Sequence, residues 1–448
     1  MFASRGRLYR QINHAGREDY ERLVGSGLRD ELVAAGRLIP HREVDDVACE
    51  PSLAYKTIEP DRVGFVSYPY EWSFSALQDA ALLTIELQRA AIKRGMSLKD
   101  ASAFNVQFIG CRPVHIDTLS FEVYREGEPW AAYGQFCRHF LAPLALMSIT
   151  DARLGRLCAT HLDGVPLDLA CRILPWRTRL APSLAIHLHL HARLERNHAP
   201  TQPSSTRRPP TRPFSRVAML GLIDHLEAAV RSLRRQPRVG AWGDYYDDNS
   251  YSNNAFDHKQ RLVRTYLQDC KPAVAWDLGA NKGLYSEIAS KMGVATVAFE
   301  SDLDCVDANY VSARGRGDAH LTSLALDLLN PSPALGWDHA ERQSLVERGP
   351  ADVALALALM HHLVITGEIP MPRVAEFLAR ICRNLIIEFV PGDDPQALRL
   401  VGARRDPRNG YTRDEFIAAF AAHFEIAAGE PIVETRRELF RMTRGNTT

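Results

Sequence analysis

A turn poor in side chains, set between two apolar β runs, constrains this chain more than any other feature. Residues 276 to 286 read Trp-Asp-Leu-Gly-Ala-Asn-Lys-Gly-Leu-Tyr-Ser. The apolar run Ala273, Val274, Ala275 precedes them and an amphipathic stretch follows. A second apolar run, Ala295 to Phe299, ends in Glu300. Strand, glycine turn, helix, strand and acid form the first half of a nucleotide-binding crossover.

The chemistry of the turn narrows the ligand. Backbone can approach a ligand closely only where side chains are absent, and Gly279 and Gly283 supply that clearance. The dinucleotide fingerprint needs Gly-x-Gly-x-x-Gly to seat a pyrophosphate on a helix N-terminus. Here the middle glycine is missing, and Asp277 puts a carboxylate at the strand end, which repels phosphate. A carboxylate there suits an amino group and a sulfonium, and Glu300 stands where an acid accepts both ribose hydroxyls. Asp302 is the fallback for that role. Asp277 also reads as a helix cap, and Glu300 and Asp302 as loop acids.

Asp-x-Gly-x-x-x-Gly with an acid at the next strand end resembles the class I S-adenosylmethionine-dependent methyltransferases. The resemblance covers residues 240 to 445 and implies an α/β, Rossmann-like, seven-stranded domain. Further apolar runs fit it: Leu324 to Leu326 followed by Asp327, Val353 to Leu359 followed by Met360-His361-His362, and Leu385 to Phe389 containing Glu388. Phe424 to Ala427 and Glu438 to Thr443 supply the terminal antiparallel pair. The resemblance implies S-adenosyl-L-methionine as cofactor, bound by Asp277, Gly279, Asn281, Gly283, Glu300, Asp302 and Asp327. It places the acceptor beside His361 and His362, either of which is a candidate general base with a reference pKa of about 6.5. Either histidine also reads as a cap or a packing residue. Asn/Asp-Pro-Pro-Tyr/Phe is absent at this position, which favours an oxygen acceptor over an amide or exocyclic nitrogen. Glu388 and Tyr411 are further candidates on the acceptor side.

The 448 residues suffice for more than one core. Lysine plus arginine and aspartate plus glutamate both number 54, so no net field favours nucleic acid or an anionic membrane. The cysteines form no Cys-x-x-Cys pair, and no apolar run reaches the roughly 18 residues of a membrane span. A cytoplasmic location is expected, without nucleic-acid or membrane partners and with a small-molecule or glycan acceptor. Oligomeric state stays open. Residues 195–216, rich in Pro, Ser, Thr and Arg, read as an exposed linker. It divides an α+β domain, 1–194, from the methyltransferase-like domain, 217–448. Leu220, Ile223, Leu226, Val230 and Leu233 recur at helical spacing, suggesting a helix that bridges linker and catalytic domain. The aromatic stretch Trp242 to Ser252 reads as a cofactor lid or as plain packing.

In the first domain, Tyr20 to Ala35 predicts a short helix, Val63 to Ser67 a strand, and Phe74 to Arg94 an amphipathic helix stopped by Gly95. Asp100, Asn105 and Asp117 then follow at a spacing that resembles the catalytic core of protein-kinase-like folds. There such residues orient a hydroxyl and hold magnesium against ATP phosphates. This chain departs from that family. It lacks a glycine-rich loop before residue 60 and a Val-Ala-x-Lys strand, and Thr118-Leu119-Ser120 follows Asp117 where Phe-Gly is usual. A degenerate fold is expected. His187, His189 and His191 would share one face of a strand, whereas on a helix only His187 and His191 align. No cysteine or acid completes a metal set, so no metal is expected.

The pattern Tyr-Glu-Trp-Ser-Phe at 70 to 74, Asn-Val-Gln-Phe at 105 to 108, Ile-Asp-Thr-Leu-Ser-Phe at 116 to 121 and Ala-Leu-Met-His-His-Leu at 358 to 363 is similar to the host-specific nodulation proteins of rhizobia. That resemblance spans both domains and implies surface-glycan or signal-molecule modification. Two alternatives remain beside the methyltransferase: a non-catalytic adaptor of two degenerate folds, and an ATP-dependent kinase acting through Asp100, Asn105 and Asp117.

Overall fold

The computed structural model describes residues 1–45, 47–197, 214–235, 252–395, 397–398 and 411–445. It divides into two compact units, residues 1–108 with 113–236, and residues 237–448 with 109–112.

The first unit opens on four antiparallel strands, β1 (Phe2–Ser4), β2 (Arg7–Asn13), β3 (His41–Val44) and β4 (Ala54–Pro60), in the order β1-β2-β4-β3. Two helices, Arg17–Gly25 and Leu28–Ala34, join β2 to β3. Sequence periodicity suggested one helix over Tyr20 to Ala35; Gly27, at φ +75°, breaks it. Val63 to Ser67 is not a strand but irregular chain ahead of a short turn, Pro69–Glu71. The expected long helix spans Phe74–Lys93, capped at its start by Ser73 and ended by Gly95 at φ +72°. Beyond it come β5 (Met96–Leu98), the hairpin β6 (Val106–Ile109) and β7 (Arg112–His115), and β8 (Phe121–Val123), which pairs with β5. A small antiparallel sheet with inserted helices, then a long helix, then a loop and hairpin carrying Asp100, Asn105 and Asp117, is a kinase-like layout.

Two boundaries differ from expectation. The helix Arg216–Ser232 belongs to the first unit rather than to the catalytic one. Its apolar stripe packs on Phe74–Lys93, Gln78 Nε2 donates to the Val230 and Leu233 carbonyls (2.8 and 3.1 Å), and Arg89 pairs with Asp224 and Glu227. Periodicity shows that a stripe must be buried but not against what. Of the expected linker, 195–197 end a helix and Phe214 forms a bridge to Gly127; residues 198–213 lie outside the described chain, as do residues 242–251 of the expected lid, 242–252.

The second unit is a seven-stranded sheet. Its strands are β9 (Val274–Leu278), β10 (Ala295–Glu300), β11 (Leu321–Ala325), β12 (Ala351–Ala356), β13 (Cys382–Phe389), β14 (Phe424–Pro431) and β15 (Glu438–Arg444). The order is β11-β10-β9-β12-β13-β15-β14, with β9 to β13 parallel and β15 antiparallel to both neighbours. This is the Rossmann-like methyltransferase fold, with its reversal between β9 and β12. β9 and β12 are buried along nearly their whole length, so they read as continuous apolar runs rather than alternating ones. Helix Asn253–Cys270 lays Leu262, Val263, Tyr266 and Leu267 against Ala275, Leu355, Ile386 and Leu439, and the helix after the glycine turn adds Ile288 and Ala289. Each such large apolar side chain contributes about 1.5–3 kcal/mol by leaving water. Phe389, Phe416, Phe420 and Phe440 form an aromatic cluster beside β13 and β15.

Candidate active site

The glycine turn leaves β9 at the carboxyl edge of the sheet, beside the reversal in strand order, where open α/β sheets bind ligands. Gly279 adopts φ +75°, and the Gly279 and Ala280 amides both donate to the Phe299 carbonyl (2.9 and 3.0 Å), which ties the turn to β10. Asn281, at φ +49°, donates its amide to Glu300 Oε2 (2.8 Å). Glu300 Oε1 accepts the amides of Ser301 and Asp302 (2.6 and 2.9 Å). The acid thus holds its own turn and the glycine turn together, and it remains on the wall of a cleft.

That cleft has a volume of about 230 Å³. Gly279, Asn281, Glu300, Asp327 and His362 line it, together with leucines from the loops after β11 and β12. Four residues expected at the cofactor and one expected at the acceptor, His362, therefore meet in one hollow. Asp327 Oδ1 accepts the Leu329 amide (2.9 Å), and Oδ2 has no protein partner among the described residues. No lysine or arginine lines the hollow among the described residues, while two carboxylates do, a setting that disfavours a phosphate-bearing ligand. Ala358, also on the wall, sits at φ +50°, a left-handed conformation that costs a residue with a Cβ about 1 kcal/mol or more. Such strain concentrates where a backbone is held in place for function.

Three expected ligands take other positions. Asp277 is buried beneath the turn and does not line the cleft; it accepts from Ser286 Oγ (2.5 Å). Burial, opposed by the Ser286 bond, raises its pKa to about 6. Gly283 is needed for packing rather than ligand clearance: a Cβ there, at φ +84°, would stand 2.2 Å from Asn309 Oδ1. Asp302 caps the helix Leu303–Arg316, accepting from the Asp304 and Cys305 amides (2.8 and 3.3 Å). Its cap role was open to a sequence reading, since an aspartate directly ahead of a helix favours that position.

The two histidines also separate. His362 reaches the cleft; burial lowers its pKa to about 4, so the ring is neutral at physiological pH. His361 is 1 % exposed and off the cleft wall, and neither ring nitrogen has a hydrogen-bond partner among the described residues. Burial, then the neighbouring His362 ring and the cations Arg437 and Lys259, hold its pKa well below the usual imidazole value. Those cations belong to a buried chain that sequence reading missed. Lys259 Nζ donates to Glu388 Oε2 (2.6 Å), Glu388 stands 3.5 Å from Arg437, and Arg437 donates twice to Asp394 (2.8 and 2.9 Å). Tyr411 is likewise buried, its hydroxyl without a partner among the described residues.

In the first unit, Asp100 Oδ1 accepts from Ser102 N and Gln135 Nε2 (3.0 and 2.9 Å), and the Asn105 carbonyl accepts from Ile116 N (2.8 Å). Asp117 is not open to a metal. Arg10, on β2, meets both of its oxygens (2.5 and 2.9 Å), and Leu119 N donates to Oδ1 as well. The three histidines lie on helix rather than strand. His187 bonds Tyr133 and His225 (both 2.8 Å), and His191 stacks on Tyr133.

Comparison with known proteins adds a relative. Nodulation protein NoeA of Rhizobium meliloti (strain 1021) is 31% identical over 423 residues, 92% of this chain and 88% of the relative. No family model matches. Among solved structures, the bifunctional kinase-methyltransferase WbdD aligns over 46% of this chain and 43% of its own at 15% identity and TM-score 0.32. Magnesium protoporphyrin IX methyltransferase (ChlM) from Synechocystis PCC 6803, with bound SAH, aligns over 46% of this chain and 92% of its own at 16% identity and TM-score 0.33.

Proposed function

Given that the chain belongs to the family of the nodulation protein NoeA, we propose that its second unit transfers a methyl group from S-adenosylmethionine to an oxygen of a small molecule or glycan. The observation that carries the proposal is the lining of one cleft by Gly279, Asn281, Glu300, Asp327 and His362, with no lysine or arginine among the described wall residues. The residues fit the cofactor by chemistry. Glu300 suits the ribose hydroxyls, since Oε2 has only one amide partner and carries a second lone pair. Asp327 Oδ2 is placed to accept from the adenine amine, and the leucine walls suit a flat apolar ring. Asp277, from beneath, adds negative charge below the turn when ionised.

Bound there, S-adenosylmethionine supplies a methyl group already activated by its sulfonium. The task left to the chain is to hold an acceptor hydroxyl in line and take up its proton. With Glu300 and Asp327 assigned to the cofactor, His362, whose ring stays neutral, is the wall residue we assign to accept a hydrogen bond from such a hydroxyl. His361 is off the wall and is assigned no contact with the acceptor. The name of the relative, a nodulation protein, is consistent with a glycan or signal molecule as acceptor.

Titration calorimetry together with labelled-methyl transfer into fractionated cell extract tests this reading. One molecule of S-adenosylmethionine bound per chain, and label recovered in a small-molecule or glycan fraction, is the expected result. Binding without transfer to any fraction marks an adaptor, and label in protein or nucleic acid refutes the acceptor class.

A further inference from the structure

The first unit holds a cavity that the methyl-transfer reading does not use. It has a volume of about 400 Å³, within the range of small-molecule sites. The helix Leu167–Ile173, the turn Trp176–Leu180 and the helical segment 185–197 enclose it. Its lining is strongly cationic: Arg172, Arg179, Arg193 and Arg196 face a single carboxylate, Asp168. Arg172 lies 3.3 Å from that carboxylate. The other three arginines have no carboxylate partner among the described residues. None of Asp100, Asn105 or Asp117 lines the cavity.

Like charges gathered around one hollow repel each other, and a surface gains nothing from such an arrangement unless an anion enters. Forked guanidinium groups match phosphate oxygens in pairs, and four of them exclude a metal cation. His189 lines the same cavity. Thr178 Oγ1 holds its Nε2 (2.8 Å), and burial with Arg179 and Arg193 lowers its pKa, so it enters the site as a neutral hydrogen-bonding ring. Trp176 supplies the second half of the argument. It lines the cavity yet is 72 % exposed, an unusual position for the largest apolar side chain. An indole face at the mouth of an arginine-lined pocket is the combination that stacks a flat ring while the cations hold its phosphates.

We propose that this cavity binds a phosphate-bearing small molecule with a flat ring system, of the nucleoside diphosphate class. The arginines fix the phosphates, and Trp176 covers the ring. Calorimetry on the full chain tests it, with ADP, inorganic phosphate and adenosine as separate probes and S-adenosylhomocysteine present in excess to fill the other cleft. ADP should bind at least about tenfold more tightly than phosphate or adenosine alone, because each carries half of the recognition. Arg179→Gln with Arg193→Gln should weaken ADP by roughly 100-fold, from about tenfold per charge-assisted contact. Trp176→Ala should cost roughly tenfold, in line with the loss of one stacked ring. All three side chains are exposed, so unchanged thermal unfolding should accompany the loss. The absence of saturable ADP heat at about millimolar concentration overturns the proposal. So does ADP affinity that the arginine or tryptophan substitutions leave unchanged, or phosphate binding as tight as ADP.

Discussion

Asp277 offers the sharpest test of the electrostatics beneath the glycine turn. The side chain is 2 % exposed, it accepts a hydrogen bond from Ser286 Oγ, and burial raises its pKa from 3.8 to about 6. A raised carboxyl pKa means that the folded chain binds the proton more tightly than the unfolded chain does. Its contribution to stability is therefore fully present below pH 3.8 and is lost as pH rises through about 6. At ~1.4 kcal/mol per pH unit, the gap is worth ~3 kcal/mol of stability forfeited at neutral pH. Asp277→Asn keeps the shape and leaves an oxygen for Ser286, but it cannot ionise. The variant and the wild type should thus show a constant difference in stability at about pH 4 and below. Between about pH 4 and 7 the variant should gain steadily, ending ~3 kcal/mol ahead of its low-pH offset. Urea titrations read by hydrogen exchange in peptides spanning β9 report on the second unit alone. Stability curves that run parallel from acid to neutral pH would refute the reasoning, since they would show Asp277 titrating as an ordinary exposed acid.

Other consequences follow from the same structure. Gly283→Ala should cost ~2 kcal/mol or more, from the left-handed backbone and from the overlap with buried Asn309, measured by chemical denaturation. Lys259→Met should cost ~3–5 kcal/mol because it removes the cation bonded to the buried Glu388 carboxylate, whereas adding Glu388→Gln should recover much of the loss in the same assay. His362→Ala should leave S-adenosylmethionine binding intact while lowering transfer by about 100-fold or more, and the wild-type rate should show no step from this ring between about pH 5 and 8, well above its pKa of about 4. Magnesium with ATP should produce no thermal shift that Asp117→Ala abolishes, because Arg10 already occupies both carboxylate oxygens.

The sheet of the second unit was legible because its parallel strands are buried on both faces. Ala295 to Phe299 and Leu385 to Phe389 therefore stand out as apolar runs, and each ends near a residue that matters. The glycine turn and Glu300 were legible for the same reason, since strand ends locate them. What stayed hidden depends on partners distant in sequence. Gly283 looked like ligand clearance until Asn309 came up against it, and Lys259 gave no sign of Glu388, 129 positions away. The stripe on Arg216–Ser232 announced burial, but only tertiary packing chose Phe74–Lys93 as its partner. Adjacent His361 and His362 could not be ranked from sequence, because which of them faces the cleft depends on how the chain leaves β12 through the left-handed Ala358.

Calorimetric titration of S-adenosylhomocysteine into the wild-type chain and into the Glu300→Gln and Asp327→Asn variants bears most directly on the central claim. The account predicts one site in the wild type and affinity lowered by roughly tenfold or more in each variant, as each loses a charged hydrogen-bond acceptor facing the ligand. No binding to the wild type, or equal affinity in all three chains, would contradict it.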